Sequence, residues 1–126
     1  MKLSKLAAVA ILTVMAAFSA EAIAKDLLPL EQGIYVREDV ACDRRSNAAV
    51  MSFWGDSLNS SPVRCKIKNL KVDGNIYSFK GACTEIRSEE TFEQDQVVRI
   101  QSKKSFAAKD WDGDEWTNYR WCARKM

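Results

Sequence analysis

The placement of two cysteines around one turn constrains this chain more than any other feature. Cys65 and Cys83 bracket two runs of β-branched and aromatic residues, one with Ile67, Leu70 and Val72 and the other with Ile76, Tyr77 and Phe79. Between them stand Asp73, Gly74 and Asn75, residue types that tolerate the left-handed backbone of a tight hairpin turn. Setting Val72 opposite Ile76 carries Cys65 directly opposite Cys83. Facing residues of a non-hydrogen-bonded antiparallel pair lie about 4.5 Å apart between Cα atoms, within the reach of a disulfide. A disulfide-pinned β-hairpin is therefore expected here.

Four cysteines allow three pairings, and once Cys65 is joined to Cys83 the remaining bond joins Cys42 to Cys122. It would close most of the chain into one loop and contribute roughly 4 to 5 kcal/mol in the chain-entropy model. That is comparable to the whole stability of a small domain. An even cysteine count in a small chain points to an oxidising compartment. Zinc is the rival reading, but the sequence has no C-x-x-C pair and its cysteine gaps fit no finger or ribbon.

The N-terminus agrees with that address. Lys2 and Lys5 precede an apolar run over residues 6–18, and small residues follow at Ala20, Ala22 and Ala24. This is the pattern of a secretory signal peptide, with cleavage expected after Ala24. Residues 1–24 are read as signal and residues 25–126 as a single domain, periplasmic or secreted. The apolar run falls short of the roughly 20 residues that a membrane-spanning helix needs. The whole chain carries a formal charge of +2, and nearly balanced charge gives no reason to expect a nucleic-acid partner.

Along the mature chain, residues 25–32, interrupted by Pro29, read as an arm leading into a first strand at Gly33. Residues 39–47 form a polar loop holding Cys42, Arg44 and Arg45, and residues 48–54 (AAVMSFW) read as a second strand. Residues 55–62 (GDSLNSSP) are a turn-rich connection leading to the cysteine hairpin. After a charged connector at 84–90, a strand is expected over 92–100 with Val97, Val98 and Ile100 buried. A final hairpin sets Trp111 opposite Trp116, Phe106 opposite Trp121 and Ala108 opposite Tyr119. Short strands separated by turn signals about every ten residues predict an all-β fold. The architecture is a small antiparallel barrel or sandwich of about six to eight strands, with room for one short helix and two disulfide staples.

Three motifs invite a chemical reading. Gly55-Asp56-Ser57-Leu58 resembles the nucleophile block of the GDSL esterases and lipases. Those enzymes pair the serine with a histidine, and this sequence contains none; a serine hydroxyl without a base is a poor nucleophile. Asp110, Asp112, Asp114 and Glu115 crowd one turn, where paired carboxylates could act as acid and base or offer oxygen ligands to calcium. Their spacing departs from the EF-hand pattern, and a solvated turn is the simpler account. No cofactor, no metal and no catalytic residue is assigned, and the chain is read as a non-enzyme.

The segment Asp73-Gly74-Asn75-Ile76-Tyr77-Ser78-Phe79-Lys80-Gly81 resembles the part of the periplasmic C-type lysozyme inhibitors in which a turn, an aromatic strand and a Lys-Gly pair occur together. The resemblance implies a small exported β-barrel with a disulfide that inserts a loop into a lysozyme cleft, with Lys80 meeting an acidic group there. That family's second motif, with its Ser-Gly pair, has no counterpart in this chain.

The expectation is a monomeric, non-catalytic binding module whose partner is another protein of the envelope or the exterior. Its partner-binding residues are Lys80, Ser57, Trp111 and Trp116. The competing readings are a structural or attachment component of the envelope and a small carboxylate-dependent hydrolase.

Overall fold

The computed structural model describes residues 25–110 and 113–123. The expected signal segment, Trp111 with Asp112, and the last three residues lie outside the described part. Eight antiparallel strands form one closed barrel: β1 (Gly33–Arg37), β2 (Val50–Phe53), β3 (Leu58–Ser60), β4 (Val63–Asp73), β5 (Ile76–Glu85), β6 (Thr91–Ser102), β7 (Ser105–Asp110) and β8 (Trp116–Cys122). Each strand pairs with its neighbours in sequence, and β8 returns to β1 with Tyr35 opposite Trp121. The all-β expectation holds, and of its two architectures the chain adopts the barrel. Among the described residues the only helical pieces are two 3-10 turns, Cys42–Arg44 and Asn47–Ala49.

Both disulfides form as read: Cys42–Cys122, with Cα atoms 5.9 Å apart, and Cys65–Cys83, with Cα atoms 4.0 Å apart. The first lies across the seam where β1 meets β8. The Arg120 guanidinium reinforces it, donating to the Val40 carbonyl at 2.6 Å and to the Cys42 sulfur at 3.0 Å. The loop so held covers the outer side of β1, which is why Val36 and the inward-facing Tyr35 beside it are both fully buried.

The hairpin register needs one correction. Val72 pairs with Tyr77 and Asp73 with Ile76, so the turn is the two residues Gly74 and Asn75, one step from the expected register. Gly74 takes φ +64°, the conformation required of the first centre of a tight hairpin turn. An irregularity between Lys68 and Lys71 absorbs the extra residue, with Asn69 at φ +55°. Below this bulge Lys68 faces Lys80 and Cys65 faces Cys83. A uniform ladder and a bulged one thus reach the same cysteine pair by different routes.

The final hairpin shifts by two residues: Phe106 faces Tyr119, Ala108 faces Thr117 and Lys109 faces Trp116. A two-residue shift keeps every side chain on its expected face. It arises because Trp121 is used at the barrel seam, its indole N–H donating to the Gln32 carbonyl at 3.1 Å. Phe106 stacks instead on Tyr119 with centroids 5.3 Å apart, and Tyr35 meets Phe106 edge-on at 5.1 Å. Gly33, at φ +141°, makes room for the indole; a Cβ there would stand 2.6 Å from its nitrogen.

Two segments do more than expected. The turn-rich connection contains β3, and the arm is a plug. In an up-and-down barrel the connections alternate between two ends. Leu28 and Leu30 are buried in the main hydrophobic cluster at the end holding the β2–β3, β4–β5 and β6–β7 turns. The arm is tied there by Leu27 N–H to the Gly55 carbonyl and Glu31 N–H to the Lys103 carbonyl, each 2.8 Å. From inside, the Tyr35 hydroxyl lies 2.7 Å from the Glu31 carbonyl and 3.2 Å from that of Lys103. Of the expected strand core on β6, Val98 is buried while Val97 and Ile100 are half-buried.

Leu28→Ala should therefore destabilise the fold by about 2–4 kcal/mol, the cost of a buried cavity, whereas Leu27→Ala at the adjacent exposed position should cost under about 0.5 kcal/mol. Urea unfolding of both variants checks this; equal effects would mean that the arm does not plug the barrel.

Candidate functional site at the open end of the barrel

The second end of the barrel is built differently because its strands differ in length. β4, β5 and β6 have 11, 10 and 12 residues, whereas β1, β2 and β3 have 5, 4 and 3. At this end β6 runs on over residues 91–95 beyond its pairing with β7, so that among the described residues this stretch has a partner on β5 alone. Phe92 marks the overhang: it faces the buried Cys83 across the ladder yet is 41% exposed.

Below the overhang a cavity of about 190 Å³ opens into the barrel. Met51, Leu58, Val98, Ala108 and Tyr119 supply apolar walls, and Ser60, Gln94, Gln96 and Thr117 supply polar groups. The lining is mixed, with more of its accessible surface polar than apolar, and an eight-stranded barrel is just wide enough to hold one small group at its mouth. Gln96 is the distinctive member. It faces Phe79 across the β5–β6 ladder, and its Oε1 is buried from solvent and accepts no hydrogen bond among the described residues. A buried acceptor left unpaired costs about 1–3 kcal/mol.

The rim is acidic. Glu89, Glu90, Glu93, Asp114 and Glu115 are exposed around it, while Asp95 is met by Lys80 at 3.2 Å and Glu85 by Arg87 at 3.1 Å. The Ser88 backbone N–H, followed by the Arg87 side chain, holds the Glu85 carboxyl below the usual glutamate range. Glu85 therefore stays charged at neutral and mildly acidic pH.

The sequence-derived candidates do not meet at one place. Ser57 is 8% exposed and lies at the plugged end, its hydroxyl accepting from Asn59 Nδ2 at 3.3 Å. Lys80 stands on the outer wall of β5 in its ion pair with Asp95. Trp116 is half-buried on the outer wall, with Arg99 4.3 Å and Lys109 5.5 Å from its ring centre. Trp111, and with Asp112 the centre of the acidic turn, lies outside the described residues. The turn of the segment likened to the lysozyme inhibitors, Asp73 to Asn75, sits at the plugged end. Among the described residues no three His, Cys, Asp or Glu side chains are set to hold a metal ion.

Sequence reasoning missed Gln94 and Gln96. Their signal was the uneven alternation of β6, whose inward positions run Phe92, Gln94, Gln96, Val98 and Ile100. Two glutamines in an otherwise apolar inward row are what a pocket, rather than a packed core, requires. Comparison with protein-family models, with curated proteins and with solved structures finds no match to this chain.

If the Gln96 acceptor is uncompensated in the free protein, Gln96→Met, which keeps length and removes the polar atoms, should raise stability by about 1 kcal/mol. A loss of that size in thermal or urea unfolding would show that the amide is already satisfied.

Proposed function

We propose that this chain is a non-catalytic, exported binding module that grips another protein at the open end of its barrel. The observation that carries the reading is the asymmetry of the two ends: one is stoppered by Leu28 and Leu30, and the other opens on a cavity with a buried, unpaired acceptor. Such a cavity suits a protruding side chain, and a turn of the Gln96 side chain on binding would bring its Oε1 to an N–H or O–H of the partner. Carboxylates around the rim favour a basic partner, chiefly by steering encounter. Two disulfides and a histidine-free sequence support an exported, non-enzymatic role, and among the described residues no helix is long and apolar enough to cross a membrane.

A lysozyme-like wall-degrading enzyme is the partner class to which the segment from Asp73 to Gly81 points. That resemblance assigns contact to Lys80, on the outer wall, whereas the cavity assigns it to Gln96. The two assignments are separable by mutation.

The mature domain should be immobilised and exposed to envelope extract and to a panel of lysozymes, with residual muralytic activity assayed in the same wells. The expected result is stoichiometric capture of a basic protein, weakened at least tenfold by Gln96→Met and little changed by Lys80→Glu. Inhibition of lysis with the opposite pattern would move the contact surface to the outer wall of β5. Absence of capture by the wild-type domain would overturn the binding-module reading.

A further inference from the structure

The outer wall over β3 and β4 carries a second, independent feature. Arg64, Lys66, Lys68 and Lys71 are all exposed on β4, and the ladder partners of this row, Thr84, Ala82, Lys80 and Ser78, share its outward face. Successive outward residues on a strand are about 6.8 Å apart, so the row is a line of positive charge. It is poorly neutralised. Among the described residues Lys66 is the one member of the row with an acidic partner, Asp56 at 3.6 Å, and both groups are more than half exposed. Lys68 faces Lys80 directly, but Lys80 is met by Asp95 at 3.2 Å, so of the two it is Lys68 that is left without an acid of its own among the described residues. An anion lying over the row would supply that partner.

A groove of about 240 Å³ meets the row at its Arg64 end. Trp54, 46% exposed, lines it together with Asn59, Ser61, Pro62, Arg64 and Ile86. An exposed indole offers a flat apolar face on which a sugar ring can lie, and the neighbouring Ser61 hydroxyl and Arg64 guanidinium can hydrogen-bond sugar hydroxyls. We propose that this wall binds a linear acidic polysaccharide: one ring on Trp54, and successive acid groups along Arg64, Lys68 and Lys71. Two other occupants fit less well. Single-stranded nucleic acid is held by stacking successive bases on several aromatics, whereas the cationic row interleaves none. A lipid surface calls for a broad apolar face beside the cations, whereas the row is flanked on β5 by Ser78, Lys80, Ala82 and Thr84, and apolar residues such as Trp54, Pro62 and Ile86 lie only at its Arg64 end. Glu93 and Asp95 on β6 bound the site, which confines the chain to the β3–β4 side.

The test uses the mature domain with polygalacturonate as the acidic chain, an uncharged cello-oligosaccharide, and vesicles containing phosphatidylglycerol, compared by calorimetry and co-sedimentation. Binding to polygalacturonate should fall steeply as salt is raised. It should drop at least tenfold in Lys68→Glu/Lys71→Glu and in the milder Lys68→Gln/Lys71→Gln, and at least threefold in Trp54→Ala. The Lys25→Glu/Lys103→Glu control, with the same net charge as the first variant, should bind like the wild type. Circular dichroism checks that every variant is folded. Equal loss in the control, no binding of polygalacturonate, or preference for the uncharged oligosaccharide or the vesicles would each overturn the proposal.

Discussion

Everything in this structure depends on closing the sheet. A short strand of five residues, β1, must meet β8 at the far end of the chain, and neither has much surface with which to hold the other. The Cys42–Cys122 bond supplies the constraint by tying the loop that follows β1 to the last residue of β8. Closing a loop of that length limits the unfolded chain by roughly 4.5 kcal/mol. Once the seam is closed, Trp121 stands over Gly33, Tyr35 packs against Phe106, and the Tyr35 hydroxyl reaches both the arm and the β6–β7 turn. Burial in that position pushes the Tyr35 phenol well above its ordinary pKa, so it remains a neutral donor to those carbonyls throughout the physiological range. The seam, the plug and the core are one unit.

The open end follows from the same economy of chain. Long strands on one side and short strands on the other give a barrel whose mouth is cut obliquely, with Phe92, Gln94 and Gln96 on the projecting wall. A chain optimised only for stability would fill such a space with apolar side chains. Here an amide occupies it, leaving a buried acceptor without a partner. Unsatisfied groups of this kind concentrate where proteins bind. Asn59 provides the contrast. It stands where β3 and β4 share one ladder pair, and its side chain accepts from the Cys65 N–H at 2.9 Å and donates to Ser52 and Ser57. The Asn59 amide is fully used to close the wall, whereas at the mouth Gln96 Oε1 has no partner among the described residues.

The fold was largely legible because it is encoded locally. Asp73 to Asn75 specified a turn, the two strand runs specified a face, and the cysteine pair confirmed which residues meet. What escaped was encoded non-locally. The bulge at Asn69 is invisible to a uniform ladder because its effect cancels by the time the strand reaches Cys65. The destination of Trp121 depended on β1, nearly ninety residues earlier in the chain, and so could not be read from the β7–β8 hairpin. Leu28 and Leu30 carried no periodic pattern with which to announce a plug. Of the candidate site residues, Ser57 was attractive for its motif and proved buried, while Gln94 and Gln96 were unremarkable as residue types and became informative only once the strand was known to face inward. Chemistry at a barrel mouth is set by which strands fall short, and strand length is the property that local patterns specify least.

The most direct test of the account is to compare the two ends in solution. A soluble nitroxide added to an isotopically labelled protein of residues 25–126 broadens NMR signals of groups that solvent can approach. The account predicts strong broadening of the Met51 and Ala108 methyl groups at the open mouth and protection of the Leu28 and Leu30 methyl groups beneath the plug. Equal protection of both sets would mean that the cavity is closed, and equal broadening would mean that the arm does not seal the barrel; either result would contradict a molecule with one working end.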